Sequence, residues 1–244
     1  MGDTFLPPST AVPPKGFVAA IVGVLTSPRA TYSDVVARPR WLGVLLVVLL
    51  TSTAPVMLFL SSDIGQRAVI DQQLQLFESF GRTVSDAQYQ QLQRMAPFSA
   101  YLTAAAQVVG LPLASLVLAG IAFAVFNGAL GANATFSQVF SVVAYSSVVT
   151  GLRALFSTPL NYARETLASP TNLAAVLPFF EDTTFPGRLL GSIDLFLIWW
   201  TVNLAIGLGV LYRRRTAPIA TTMLIVYGVI ALAIAAVRSM LAGA

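Results

Sequence analysis

Residues Trp41–Leu60 read WLGVLLVVLLTSTAPVMLFL, twenty positions without a charge. A helix rising 1.5 Å per residue needs about 20 apolar residues to cross the ~30 Å hydrocarbon core of a bilayer, so this stretch is long enough to span one. Pro55 leaves the carbonyl of Thr51 without its helical donor. The hydroxyls of Thr51, Ser52 and Thr53 are placed to take up that loss or to shape a kink.

The rest of the chain agrees. It has 244 residues, 56% hydrophobic and only 10% charged, with a mean hydropathy of +0.77. A soluble domain carries about 25% charged residues, so this composition is that of an integral membrane protein. Four more apolar segments follow, at 98–130, 136–160, 190–212 and 218–241. The fold class expected is therefore all-α, with five transmembrane helices.

The connections carry their own signals. Residues 1–15, with four prolines and little to build a core, read as a disordered cytoplasmic tail. Gly16–Leu25 is apolar but too short to span, which suggests an interfacial or re-entrant helix. Ser27 can cap a helix beginning at Pro28, and Arg38 before Pro39 ends it. With Tyr32, Val35 and Val36 on one side and Arg29 and Asp34 on the other, that helix fits a membrane surface. Between the first and second spans, Ser61–Pro97 reads as an extramembrane helical pair broken at Gly81, with Ser85 capping the second member. The third segment mixes Gln138, Ser141, Ser146 and Ser147 into an apolar stripe and therefore needs protein neighbours. In the second, Ala106, Gly110 and Ala114 recur every four residues, a spacing that lets another helix approach closely. The RRRTA turn is short enough to make the last two segments an antiparallel hairpin.

Several chemistries are disfavoured. The chain has neither Cys nor His, which removes thiol nucleophiles, disulfides, imidazole or thiolate metal sites and the commonest general base. No intramembrane Lys is present to activate a serine, and an aspartyl mechanism needs two carboxylates where the spans hold only Asp194. Neither an enzyme nor a cofactor is expected. The net charge is only +4, and the bases are scattered among apolar segments, so nucleic acid is not an expected partner. Arg38 and Arg40 abut the first span, and Arg213, Arg214 and Arg215 fill the last turn. Bases in such positions contact anionic lipid headgroups and set orientation. They favour a cytoplasmic amino terminus in the inner membrane of a bacterium.

Asp194 falls just inside the start of the fourth segment, and Arg153 lies towards the end of the third. An unpaired charge in the bilayer costs at least ~2.5–3.5 kcal/mol. Adjacent antiparallel spans bring the two residues to similar depth. They are expected to form an ion pair that clamps the third helix to the fourth; if so, exchanging the two charges should restore folded yield. The alternative is a small transporter or channel using Asp194 and Arg153. Asn203 points away from Asp194 and is expected to make an interhelical hydrogen bond.

Three stretches, LTSPRATYSDVVARPRW, TFSQVFSVVAYSSVV and SIDLFLIWWTVNLAIGLGV, in this order along residues 16–241, resemble the Yip domain family of Ypt/Rab-interacting proteins, in its bacterial branch. The resemblance implies a Yip-like membrane domain with a cytoplasmic amino terminus and a non-enzymatic scaffold or membrane-organising role. Its partners would be the bilayer and a second copy or another membrane protein. A Rab-type GTPase partner is not inferable from these residues.

Overall fold

The structure is a computed structural model that describes residues 16–79, 81–177, 179–181 and 184–242. The expected tail at residues 1–15 lies outside the described residues. The described residues are helical throughout, joined by turns and one isolated antiparallel bridge, Asn172 with Asp194. In chain order the helices are α1 Phe17–Thr26, α2 Pro28–Ala37, α3 Trp41–Ser61, α4 Asp63–Ser79, α5 Asp86–Met95 and α6 Ser99–Phe123. They continue with α7 Phe136–Ser146, α8 Val148–Arg164, α9 Leu173–Val176, α10 Phe185–Gly191, α11 Leu195–Leu211 and α12 Thr216–Ala242.

Four helical stretches are long and apolar enough to cross a membrane: Trp41–Ser61, Asp86–Ala129, Phe136–Arg164 and Thr216–Met240. The protein is thus a multi-pass membrane protein. The fourth expected segment differs from its reading. Residues 190–212 do not form one helix, because the chain leaves α10 at Gly191 and restarts at Leu195, and α11 has only 17 residues. The third segment runs beyond Leu160 to Arg164 and is interrupted at Ser147. The second is joined to α5 through a 3₁₀ turn at Ala96–Phe98 and ends in a π-helical turn at Ala124–Ala129.

Local chemistry sets the helix starts. Ser85 and Gln88 form a capping box before α5, and Thr135 and Gln138 form another before α7. In each, the hydroxyl accepts from the third residue's N–H while the glutamine side chain accepts from the cap's own N–H. Gly81, at φ +66°, turns the chain between α4 and α5 in a conformation that favours glycine. Pro55 sits inside α3, where Thr51 Oγ1 donates to the Val47 carbonyl at 2.8 Å and Ser52 Oγ to Val48 at 2.6 Å. The hydroxyls thus back-bond to the preceding turn of the helix.

The core forms around α7, where every residue from Val139 to Val149 is buried. The mixed polarity of this segment suits such surroundings: α7 packs on α2, α3, α6 and α11. The hydroxyls of Ser146 and Ser147 bond back to the carbonyls of Val142 and Val143, which satisfies polar groups that would otherwise be costly to bury. The buried stripe of α11, including Leu204, Ala205 and Leu208, completes this core. At its centre Gly207 lets helices meet closely, since a Cβ there would lie 2.5 Å from Val142 and 2.9 Å from the Tyr32 ring. Leu46, Leu50 and Leu58 of α3, Val109, Leu113 and Val117 of α6, and Ile225 and Val229 of α12 stand exposed, as lipid-facing residues do. Ala106, Gly110 and Ala114 are also exposed, and among the described residues no other part of the chain lies within 4 Å of where a Cβ at Gly110 would stand.

The apolar face of α2 turns into the bundle. Tyr32 has 0% of its surface exposed and Val35 is buried, because α2 packs across α11 and α7. An amphipathic stripe is satisfied equally well by a protein surface. Ser27 holds the N-cap position of α2 without a capping bond from its hydroxyl.

Candidate functional site

Asp194 is the centre of the densest polar cluster described. Ser169 and Thr171 reach it from the loop after α8, Tyr227 from α12 and Arg153 from α8. The local sequence explains its place. Aspartate is a preferred N-cap, since its carboxylate can accept from the free N–H groups of the first turn and lies at the positive end of the helix dipole. Asp194 Oδ1 accepts from the N–H groups of Phe196 at 2.9 Å and Leu197 at 3.3 Å. Asp194 therefore caps the start of α11 instead of lying inside one continuous helix over 190–212. At 5% exposure it is nevertheless buried.

Its other oxygen takes three donors. Arg153 Nη2 lies 2.9 Å from Asp194 Oδ2, Thr171 Oγ1 donates to it at 2.7 Å, and Ser169 Oγ donates at 3.1 Å. The backbone contributes as well: Leu173 N–H donates to Ile193 O, Leu195 N–H to Thr171 O, and Asp194 N–H to the Tyr227 hydroxyl at 2.8 Å. A carboxylate offers about four lone-pair directions, and five donors already address this one. Arg153 lies eleven residues before the end of α8 at Arg164 (164 minus 153), farther from that end than a segment closing at Leu160 implies. Its side chain is 36% exposed.

The structure thus brings Arg153 and Asp194 together. Sequence reasoning missed Ser169, Thr171 and Tyr227. The available signal was narrow: an acid directly before an apolar run is itself an N-cap pattern, but its hydroxyl partners are tertiary neighbours with no spacing rule.

Asn203 faces the amino-terminal helices. The Tyr32 hydroxyl donates to Asn203 Oδ1, and Asn203 Nδ2 donates to the Val24 carbonyl at 2.8 Å. Burial pushes the Tyr32 phenol well above its ordinary pKa, and a hydrogen bond with the Ser146 side chain opposes that only in part. Gln107 accepts from Thr53 Oγ1 at 3.2 Å, tying α6 to α3.

The five arginines expected at the headgroups divide between two nearby edges of one end. Arg38 and Arg40 flank the start of α3, and Arg213–Arg215 form the α11–α12 turn; all five are exposed. Arg213 adopts φ +52°, and the turn closes with Arg214 N–H donating to Gly209 O. Arg29 Nη2 donates to Thr216 Oγ1 at 3.2 Å and Gln138 Nε2 to Val36 O at 3.1 Å. These bonds hold α2, the start of α7 and the last turn at the same end. A cavity of about 720 Å³ opens there between Ala37, Asn133, Gln138, Arg213 and Arg214.

No curated protein and no solved structure matches this chain. A family model does: the Yip1 domain matches residues 22–237, nearly the whole length, including α2, the capping-box entry to α7 and the Asp194 start of α11. The chain therefore belongs to the Yip1 domain family.

Proposed function

We propose that this protein is a non-enzymatic membrane organiser: a bundle in which α11 crosses the bilayer as a fifth span, assembling with itself or with another membrane protein. The observation that carries this reading is the use made of Asp194. It accepts five bonds, caps α11 and pairs with Arg153, so the carboxylate holds α8, α11 and their connecting loop together. A transporter reading would need Asp194 to bind and release a cation or proton, and the donors around it oppose that. Flux in proteoliposomes that is lost in Asp194→Asn, in protein that still folds, would reverse this preference.

The proposed orientation has the amino terminus in the cytoplasm of a bacterial cell, across the inner membrane. In support, the arginines Arg38, Arg40 and Arg213–Arg215 gather at one end with α2, as the positive-inside rule favours. The short helices α1 and α2 lie at that end as an interfacial collar, and the exposed Phe17, Val18 and Val22 of α1 meet lipid. Crosslinking in mild detergent, together with electron microscopy of liposomes carrying the purified protein, tests the role. Oligomers and deformed vesicles are expected, and a strict monomer that leaves liposomes unchanged would sink it.

A further inference from the structure

A second cavity, of about 340 Å³, opens beside Arg153 between α3, α6, α8 and the loop carrying Ser169. Its wall is polar for a membrane protein: Ser52, Gln107, Arg153, Thr158, Asn161 and Ser169 all line it. Polar groups at membrane depth are costly unless they face a partner or water. Ser157 Oγ and Asn161 Oδ1, also in this wall, have no hydrogen-bond partner among the described residues.

Arg153 is the strongest donor there. A guanidinium carries five N–H groups, and only Nη2 is committed, to Asp194 and to Ser169 Oγ at 3.4 Å. Nε and Nη1 make no bond to any described residue, while the side chain keeps 36% of its surface open. Asp194 balances the charge of Arg153 but leaves these donors open. Its own negative charge is shared with two hydroxyls and with the N–H groups opening α11. Nε–H and the Nη1 amino group point in different directions, so each is a separate charged donor, of the kind that bonds a phosphate oxygen.

Depth narrows the ligand. From the arginine turn, the 17 residues of α11 rise about 25 Å to Asp194, against a hydrocarbon core of ~30 Å. The pair and its cavity therefore lie near the boundary opposite Arg213–Arg215, within reach of the phosphates of that leaflet. We propose that this cavity is a binding site for a phosphate group, held by the free Nε and Nη1 donors of Arg153 with Thr158, Asn161 and Gln107 supplying further polar contacts. A phospholipid headgroup and inorganic phosphate share that chemistry. The inference rests on the proposed crossing of the bilayer by α11, and not on the scaffold role.

Native mass spectrometry of the delipidated full-length protein, titrated separately with phosphatidylglycerol and with inorganic phosphate, tests it. Phosphatidylglycerol is expected to occupy one site per chain. Thr158→Val with Asn161→Leu leaves the Arg153–Asp194 pair in place, and Arg153→Lys keeps the charge but loses the separate Nε and Nη1 donors; each should weaken that site by about tenfold or more. Arg213→Gln, Arg214→Gln and Arg215→Gln together, at the other end, should leave it unchanged. Binding of inorganic phosphate alone, with the same sensitivity to the cavity variants, supports the site with a soluble ligand as its source. Folded variants that bind as the parent does, or a parent that binds neither probe, would overturn the proposal.

Discussion

Replacing Asp194 and replacing Arg153 should not cost the same, although the two form one ion pair. Asp194→Ala removes the N-cap of α11, worth about 1 kcal/mol. It also strands the Ser169 and Thr171 hydroxyls and takes the counter-charge from Arg153. Breaking a fully buried pair costs about 3–5 kcal/mol, but Arg153 is more than a third exposed, which cuts this part to roughly 1–2 kcal/mol. The total is on the order of 2–4 kcal/mol, or about 5–15 °C of melting temperature for a chain of this size. Arg153→Gln leaves Asp194 with four other donors and should cost only about 1 kcal/mol. Asp194→Asn keeps the cap and should fall between them. The charge exchange, Arg153→Asp with Asp194→Arg, should rescue nothing. A guanidinium cannot accept from the Phe196 and Leu197 N–H groups, and it would sit at the positive end of the helix dipole. Thermal unfolding of the purified variants in one detergent decides the matter. Equal losses from Asp194→Ala and Arg153→Gln, or recovery in the exchanged pair, would refute the capping argument and restore a simple two-charge clamp.

Gly207→Ala should lower stability by about 1–3 kcal/mol through overpacking against Val142 and Tyr32, whereas Gly110→Ala on the open face of α6 should be neutral or slightly stabilising; paired thermal melts check both. Tyr32→Phe leaves Asn203 Oδ1 without its donor and should cost about 1–3 kcal/mol, read by the same assay. In the folded protein Tyr32 keeps its proton well above the usual pKa, while in the unfolded chain it ionises near ~10. Its contribution is therefore complete below about pH 10 and declines above it, and Tyr32→Phe should flatten that alkaline loss in a pH series of melts. Neutralising Arg213, Arg214 and Arg215 together should weaken attachment to anionic vesicles by about 1 kcal/mol per residue and scramble orientation in cysteine-accessibility mapping.

Much of the bundle could be read from one dimension. Trp41–Leu60 is uniformly apolar, and α3 occupies it almost residue for residue. The mixed stripe of Phe136–Ser146 called for protein neighbours, and α7 has them in α2, α3, α6 and α11. Ser85 carried a cap signal that depends only on neighbours within one turn. The misreadings have a common source. Hydropathy averaged over 190–212 hides that Asp194 is worth more as a cap outside a helix than as a charge inside one. The apolar side of α2 shows that something covers it, without distinguishing lipid from α11. Ser169, Thr171 and Tyr227 meet Asp194 across 23 to 33 positions of chain, and no local preference encodes such an encounter.

The bonds from Tyr32 and Val24 to Asn203 join positions 171 and 179 apart. A ribosome makes the short amino-terminal helices first, yet the part of their inner face that meets α11 stays uncovered until the last hairpin is delivered. The earliest segment synthesised is then among the last to be sealed. A chain stalled before residue 203 would display Val24 and Tyr32 to whatever surveys nascent membrane proteins, so this seam also marks a finished molecule apart from an unfinished one.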